Sequence, residues 1–413
     1  MSQPEIEVVI GEDAIERLAA RVEGPALVVM DANTRDAAGD RVLEELRALS
    51  VDTAPLVFEQ RSGLTATRDA VRRVRARLGD GRLPVAVGSG VITDVVRYAA
   101  HLRDRDFISV PTAASMDGYA SSVAPLELGG VKVTLPARAP RAIFADPQVA
   151  AAAPAELTAS GIGDLLGKAT ARVDWLAAHL LYGEPWSEPA SARMLDALAF
   201  ATANVEPVLT GATAAVSGLL QGLIESGIAM AIVGNSRPAS GCEHHASHFW
   251  DLLAARGARR HAPHGLQVGY ATRFAMRLQR FAFAGGVRSL ERPVVPELLG
   301  GEAREWLGEP TPEIFAAVED KRRFVSALGR WPKTRAEWDE VRSRIAPSLE
   351  LFGDVEHALT VAGIPDEPGY LDIDERTLRA TFRYSNRLRA RFTTVDFLEG
   401  QQALEPAIEE AIG

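Results

Sequence analysis

The fold of this chain is decided by the stretch PVAVGSGVITD, residues Pro84–Asp94. Pro84–Val87 predicts a short buried strand, Gly88-Ser89-Gly90 a tight turn, and Asp94–Leu102 the helix that follows. A strand joined by a glycine turn to a helix is the repeating unit of α/β folds. Glycines also let backbone N–H groups approach a phosphate at a helix N-terminus. A lone Gly-x-Gly lacks the Rossmann spacing, however, and by itself favours an ordinary strand-to-helix turn.

The same alternation of apolar runs and amphipathic runs extends to both sides of this stretch. A β-hairpin is predicted around Gly129-Gly130, where two alternating runs meet. Strands buried on both faces of a parallel sheet read as unbroken apolar runs, so the sequence predicts a parallel sheet covered by helices. The other strands are predicted at Ala26–Met30, Leu56–Phe58, Phe107–Val110 and Ala142–Ala145.

Beyond Pro154 the periodicity is helical, first in long Ala/Leu-rich runs and later in amphipathic ones. We therefore predict a Rossmann-like α/β domain over residues 1–152 and an all-α domain over residues 153–413. In such a chain, ligands are expected in a cleft that faces the carboxyl ends of the strands.

Composition and charge exclude several classes of protein. Apolar residues make up 47% and charged residues 24% of the 413 residues, which is typical of a soluble globular protein. A net charge of −10 gives no reason to expect a nucleic-acid partner. The single cysteine, Cys242, excludes an intrachain disulfide, fits a reducing compartment, and is interpreted as a buried thiol rather than a metal ligand.

The sequence also predicts a cytoplasmic protein without a membrane span. The first residues, Met1–Glu7, carry no basic residue and no apolar core, so they do not form a secretory signal. Pro207–Ile224 is uncharged, but it contains several polar residues and glycines and is bracketed by Glu206 and Glu225. We interpret it as a buried core helix.

The stretch GCEHHASH, residues Gly241–His248, carries the strongest chemical signal. His244 and His248 are four residues apart and therefore share one face of a helix. Together with His264 and Asp164 they form a set typical of a catalytic metal with an open coordination position. Three protein ligands suffice, so one of the four groups is expected to position ligands or to carry a proton.

Two further polar segments follow predicted strands. Asp31 comes directly after the first predicted strand, where a carboxylate either binds an adenosine ribose or caps the next helix, and the sequence leaves both roles open. Ser109–Ser121 (SVPTAASMDGYAS) is rich in small and hydroxyl residues, with Asp117 as its only charge. This composition favours a ligand with a flat ring over an ordinary polar loop.

These stretches resemble the iron-containing alcohol dehydrogenase and dehydroquinate synthase superfamily, and within it the glycerol-1-phosphate dehydrogenases of the bacterial branch. The resemblance implies a dehydroquinate synthase-like fold, NAD(P)H as cofactor and zinc or nickel as the divalent metal. We also expect a homodimer or a higher homo-oligomer. Residues 285–375 carry no part of the resemblance. The matching stretches are Gly88–Tyr98, Phe107–Pro125, Lys132–Asp146, Gly161–Lys168, Ser236–His248 and His264–Gly269.

The resemblance also implies a role for each candidate residue. Asp164, His244 and His264 would bind the metal, and Asp117, His248 and Asp164 would contact the substrate. Asp31 would bind the adenosine ribose. The remaining cofactor contacts would be Gly90, Val91, Ile92, Thr93 and Asp94 at the pyrophosphate, and Thr112, Ala113, Ala114, Ser115 and Ser121 on the nicotinamide side.

The implied reaction is reduction of dihydroxyacetone phosphate to sn-glycerol 1-phosphate, with His248 and Asp164 as catalytic residues and His248 relaying the proton. The same chemistry on another phosphorylated or phosphonate-bearing ketone or aldehyde is the main alternative. A dehydroquinate synthase-like cyclase is a weaker one, because it would require a glutamate ligand and several lysines. A protein that only binds nucleotide disagrees with the intact set of metal ligands.

Overall fold

The structure is a computed structural model, and it describes residues 6–79, 81–128, 131–285, 300–309, 311–327 and 329–413. Its contacts divide the chain into two compact units. The first unit comprises Met1–Leu165 and Asp196–Ser236, and the second comprises Leu166–Leu195 and Arg237–Gly413.

A parallel sheet forms the centre of the first unit. Six strands are parallel and lie in the order β1-β8-β5-β4-β2-β3, while β6 and β7 form an antiparallel hairpin. The Gly129-Gly130 turn of this hairpin lies outside the described residues. The eight strands are β1 (Glu7–Ile10), β2 (Ala26–Asp31), β3 (Thr53–Phe58), β4 (Leu83–Val87), β5 (Ile108–Val110), β6 (Val123–Leu128), β7 (Val131–Pro136) and β8 (Ala142–Ala145).

Burial on both faces explains why the strands read as unbroken apolar runs. Val28 and Met30 of β2 pack into one apolar cluster with the helices on their side of the sheet. Leu27 and Val29 point the other way, into a second cluster that includes the helix after β4. The predicted parallel sheet with helices on both faces is therefore confirmed, and only β1 was not predicted.

Helices complete the first unit. The Thr213–Val233 helix is long and apolar enough to cross a membrane by length and composition alone, and 56% of its most apolar window is buried within the protein. Such burial suits the core helix that the sequence predicts for this run. The other helices are Ala14–Ala19, Ala32–Thr34, Arg35–Gly39, Asp40–Ala48, Arg68–Leu78, Gly90–His101, Gly118–Ala120, Pro147–Ala151, Ala155–Leu166 and Val205–Leu209, with Glu188–Ala203 contributing to both units.

Every regular element in the described residues of the second unit is a helix, as predicted. The two helices that carry the candidate histidines, Cys242–Ala255 and His264–Phe283, pack closely against each other. The others are Lys168–Tyr182, Arg237–Ala239, Gly301–Leu307, Pro312–Ser326, Arg335–Glu350, Phe352–Val361, Tyr370–Asp372, Glu375–Tyr384, Ser385–Leu388, Thr394–Gly400 and Leu404–Ile412.

Candidate functional site

The glycine turn after β4 leaves the start of the Gly90–His101 helix without a side-chain cap. Ser89 occupies the capping position in extended geometry and makes no capping hydrogen bond. A Cβ at Gly88 would lie 2.7 Å from Cβ of Ile92, so the turn requires glycine there. The hydroxyl of Thr93 is buried and has no hydrogen-bond partner among the described residues. Uncapped N–H groups and an unpaired hydroxyl suit a phosphate group.

Asp31 caps the helix after β2. Its Oδ1 accepts hydrogen bonds from the backbone N–H groups of Asn33, at 2.9 Å, and Thr34, at 2.8 Å. The Thr34 hydroxyl accepts one from the Asp31 N–H in return, which completes a capping box. Oδ2 accepts no hydrogen bond from the described residues, so a ribose contact is compatible with the cap.

The segment after β5 is held rigidly from two sides. Arg97 is fully buried, pairs with Asp94 at 2.6 Å, and donates to the carbonyl oxygens of Gly118 and Tyr119. A Cβ at Gly161 would lie 2.0 Å from the carbonyl oxygen of Ala114, so the Ala155–Leu166 helix approaches this segment at backbone distance. Arg97 was not predicted, because its role depends on carbonyl groups that lie far away in sequence.

Two of the predicted acidic residues meet in the first unit, through the backbone of one and the carboxylate of the other. The backbone N–H of Asp117 donates to Oδ2 of Asp164 at 2.9 Å. The Ser226 hydroxyl donates to Oδ2 of Asp117 at 2.7 Å. Asp164 is fully buried and Asp117 is 8% exposed. A buried carboxylate held in this way is suited to binding a cation or a polar substrate.

The three predicted histidines meet in the second unit. The ring centroids of His244 and His264 are 5.1 Å apart, and that of His248 lies 6.0 Å from His264 and 6.5 Å from His244. His244 is buried, whereas His248 and His264 are partly exposed. A further histidine of this region, His245, is fully buried, and neither ring nitrogen has a hydrogen-bond partner in the described part of the chain.

Polar side chains lie within hydrogen-bond distance of Nδ1 in two of these rings, those of His244 and His264. Oε1 of Glu243 lies 2.8 Å from Nδ1 of His244. The Ser247 hydroxyl lies 3.1 Å from Nδ1 of His264. Each ring therefore has a polar neighbour at Nδ1, as is usual for histidines that bind a metal through Nε2. The donor set fits a divalent cation of the zinc or nickel type.

A second buried carboxylate supports the start of the Cys242–Ala255 helix. Asp174 accepts hydrogen bonds from the backbone N–H of Cys242, at 2.7 Å, and of Thr394, at 2.8 Å. Burial, followed by the nearby Glu243 charge, raises the pKa of Asp174. Burial likewise raises the pKa of the Cys242 thiol well above its usual value, in agreement with the prediction of a buried thiol.

Glu243, Ser247 and Asp174 were not predicted to act at the site. The sequence contained a signal for two of them. Glu243 directly precedes the candidate ligand His244, and Ser247 lies one helical turn after Glu243. Asp174 lies about seventy residues from the histidines in the sequence, and nothing in its surroundings indicates its role.

Comparison with known proteins decides the family. A model of the iron-containing alcohol dehydrogenase family matches residues 9–154. Glycerol-1-phosphate dehydrogenase (NAD(P)+) of Bacillus licheniformis is 30% identical over 409 residues, which cover 97% of this chain and 90% of that protein. The protein of the same name from Bacillus velezensis is 36% identical over 272 residues, which cover 64% of this chain and 69% of that protein. The chain belongs to the glycerol-1-phosphate dehydrogenase family.

Solved structures confirm the fold of this family member. A probable glycerol dehydrogenase from Sinorhizobium meliloti matches with a TM-score of 0.65 at 18% identity, over 99% of this chain and 98% of that one. An iron-containing alcohol dehydrogenase from Thermococcus thioreducens matches with a TM-score of 0.65 at 14% identity, over 100% of this chain and 99% of that one. The predicted fold and oxidoreductase class are thus confirmed, and the family supports NAD(P) and a metal as cofactors.

Proposed function

We propose that the protein reduces dihydroxyacetone phosphate to sn-glycerol 1-phosphate with NADH or NADPH. The observation that carries this proposal is the match, over 97% of the chain, to a relative named glycerol-1-phosphate dehydrogenase (NAD(P)+). Such a reaction requires a cofactor site, a cation that polarises the ketone, and a group that supplies a proton.

The metal site that we propose consists of Asp164, His244 and His264. Each offers one ligand atom, and within the second unit those of His244 and His264 lie within 4.8 Å of each other, which supports the proposal. One carboxylate and two imidazoles leave a coordination position open for substrate. Zinc or nickel, when bound, stabilises the negative charge that develops on the ketone oxygen.

The cofactor site that we propose lies on the first unit. NAD(P)H supplies the hydride, while the protein binds and orients the dinucleotide. Asp31 would accept a hydrogen bond from the adenosine ribose through its Oδ2. The pyrophosphate would lie on Gly90, Val91, Ile92, Thr93 and Asp94, and the nicotinamide side on Thr112, Ala113, Ala114, Ser115 and Ser121.

Asp117 and His248 are proposed to contact the substrate, together with Asp164. Asp117 holds its carboxylate in place through Ser226 and can accept a hydrogen bond from a substrate hydroxyl. The partly exposed ring of His248 can relay the proton, either through water or through the terminal hydroxyl of the substrate. His248 therefore acts as the proton relay in this proposal.

Cationic side chains of the second unit favour a phosphorylated substrate. Burial, and then the nearby charges of Arg237 and Arg389, lower the pKa of Arg391 to about 9. Arg389 and Arg391 are both partly exposed. Like charges held near one another are stabilised by an anion, and a phosphate dianion would serve.

We also propose a cytoplasmic homodimer or higher homo-oligomer, with no nucleic acid among its partners. The same chemistry on another phosphorylated or phosphonate-bearing ketone or aldehyde is the nearest alternative, since the quoted motifs do not identify the residues that select the substrate. A cyclase is disfavoured, because Asp164 stands where that reaction requires glutamate.

The configuration of the product tests the proposal. Metal-loaded protein is incubated with dihydroxyacetone phosphate and NADH, and the glycerol phosphate formed is resolved into its enantiomers. We expect the sn-1 form, because a fixed nicotinamide delivers hydride to one face of the ketone. Formation of the sn-3 form would contradict the proposal. Conversion of a seven-carbon sugar phosphate without net consumption of NADH would select the cyclase instead.

A further inference from the structure

We infer that Glu243 is a positioning residue that holds His244 with Nε2 directed at the metal. This inference rests on the metal site of the proposed function and assigns a role to a side chain outside the ligand set. The Glu243 carboxylate and the His244 ring are neighbours in sequence, and Oε1 lies 2.8 Å from Nδ1. Both side chains are at least 93% buried, so water does not compete for this contact.

Both oxygens of Glu243 are anchored by groups other than the histidine. The backbone N–H of Gly241 donates to Oε1 at 2.6 Å, and the Thr170 hydroxyl donates to Oε2 at 2.9 Å. The carboxylate therefore has one orientation, and the ring that bonds to it has one as well. A flexible acidic side chain at a helix start would not fix a ring in this way.

The backbone of Gly241 packs closely against the Glu243 carboxylate. A Cβ at Gly241 would lie 2.8 Å from Oε2 of Glu243 and 2.6 Å from Oδ2 of Asp174. The N–H of Cys242 is bonded to the same Asp174 oxygen at 2.7 Å, which fixes the first residue of the helix. Because residue 241 is a glycine, the carboxylates of Glu243 and Asp174 can both pack against the N-terminus of this helix.

The consequence for His244 follows from the chemistry of imidazole. A neutral ring carries one proton, and a proton held on Nδ1 leaves the lone pair on Nε2. The Ser247 hydroxyl lies 3.1 Å from Nδ1 of His264, but a hydroxyl can donate or accept, so only the carboxylate of Glu243 selects the protonated Nδ1. Neighbours of this kind typically change metal affinity by about 10-fold to 100-fold when they are removed.

A purely structural role for Glu243 makes a different prediction. Glu243 also accepts a backbone N–H at the start of a helix, and a group that only caps a helix affects stability without affecting metal affinity. Glu337 provides a control for the capping contact alone, since it is exposed and accepts the N–H groups of Lys333 and Thr334 at the start of another helix in the second unit.

The test measures Co²⁺ affinity by competition with a chelator in the full-length wild-type protein and in Glu243→Leu, Glu243→Gln and Glu337→Leu. We expect Glu243→Leu to bind Co²⁺ about 10-fold to 100-fold more weakly and to change the visible spectrum of bound Co²⁺. Glu243→Gln, whose amide oxygen can still accept from Nδ1, should remain within about threefold of wild type. Glu337→Leu should lose thermal stability and keep its Co²⁺ affinity.

Unchanged Co²⁺ affinity in Glu243→Leu, or equally weak binding in Glu243→Gln, would overturn the inference. Should Glu243→Leu not fold, nitrogen NMR of metal-free wild-type protein decides, because His244 must carry its proton on Nδ1. A wild-type protein that binds no Co²⁺ overturns this inference together with the metal site. If the wild-type protein binds Co²⁺ and the variants show the expected affinities, but the protein does not reduce dihydroxyacetone phosphate, only the proposed function is overturned.

Discussion

Asp117 donates its backbone N–H to Oδ2 of Asp164 across 2.9 Å, so two residues from separate motifs are joined by one hydrogen bond. Asp164 is fully buried, and a buried carboxylate requires partners of this kind. The bond restricts rotation of the Asp164 side chain before any metal is present. The segment that supplies the N–H is itself packed against the helix that carries Asp164.

Because of this packing, we expect a methyl group added at Gly161 to lower both stability and activity. Gly161→Ala would place Cβ 2.0 Å from the carbonyl oxygen of Ala114, so the segment must shift away from the helix. We expect a loss of about 1–3 kcal/mol in the free energy of unfolding, together with a fall in kcat/KM. Gly353→Ala is the control, since its helix has open space at that position and should gain about 0.5–1 kcal/mol. Full activity in Gly161→Ala would contradict this account of the segment.

His244→Ala tests the metal ligand directly. The ligand lies on a helix held by Asp174 and Glu243, so its removal should leave the fold intact while bound metal and activity are lost. Metal content is measured by elemental analysis after dialysis, and the fold by circular dichroism. An active variant with full metal content would refute the assignment of His244.

The charge of Asp31 predicts the choice of cofactor. A carboxylate after β2 repels the 2′-phosphate of NADPH, so kcat/KM should be higher with NADH. Asp31→Ser keeps an oxygen that can cap the helix but removes the charge, and should therefore shift the ratio toward NADPH with little change in stability. A strong NADPH preference in the wild-type protein would contradict this role.

His245 predicts a dependence of stability on pH. Burial, and then the charges of Lys321 and three arginines, lower the pKa of this ring well below its usual 6.5. The unfolded chain therefore binds one more proton than the folded protein below pH 6.5, and the free energy of unfolding falls there by up to about 1.4 kcal/mol per pH unit. His245→Leu should have a shallower slope between pH 7 and 5 in urea titrations. Identical slopes in the two proteins would show that folding does not lower the pKa of His245.

Much of the first unit could be predicted because its strands are short, apolar and separated by helices. β1 could not, since Glu7–Ile10 offers only three apolar residues behind a charged one and lies at the edge of the sheet. The boundary after residue 152 stays a prediction. One boundary along the chain cannot separate the two units, because residues 196–236 belong by their contacts to the first unit although they follow residues of the second.

The residues of the candidate site that lie in motifs could be named from the sequence, whereas those that hold them in place could not. Helical spacing identified His244 and His248, and a neighbouring glycine identified His264. Arg97 and Asp174 act through backbone groups remote in sequence, and only the folded chain brings those groups within reach. The cap formed by Asp31 was one of two roles that the residue pattern allowed.

The substrate is identified by NADH oxidation, measured with purified, metal-loaded protein on dihydroxyacetone phosphate, free dihydroxyacetone and a small panel of phosphonate ketones and aldehydes. Contacts to a remote phosphate help to orient the reacting carbonyl, so its loss should lower kcat as well as raise KM. We predict that dihydroxyacetone phosphate exceeds the free triose in kcat/KM by about 100-fold or more, as expected for a substrate whose remote charged group is bound. Equal rates with both trioses, or activity confined to a phosphonate, would contradict the claim.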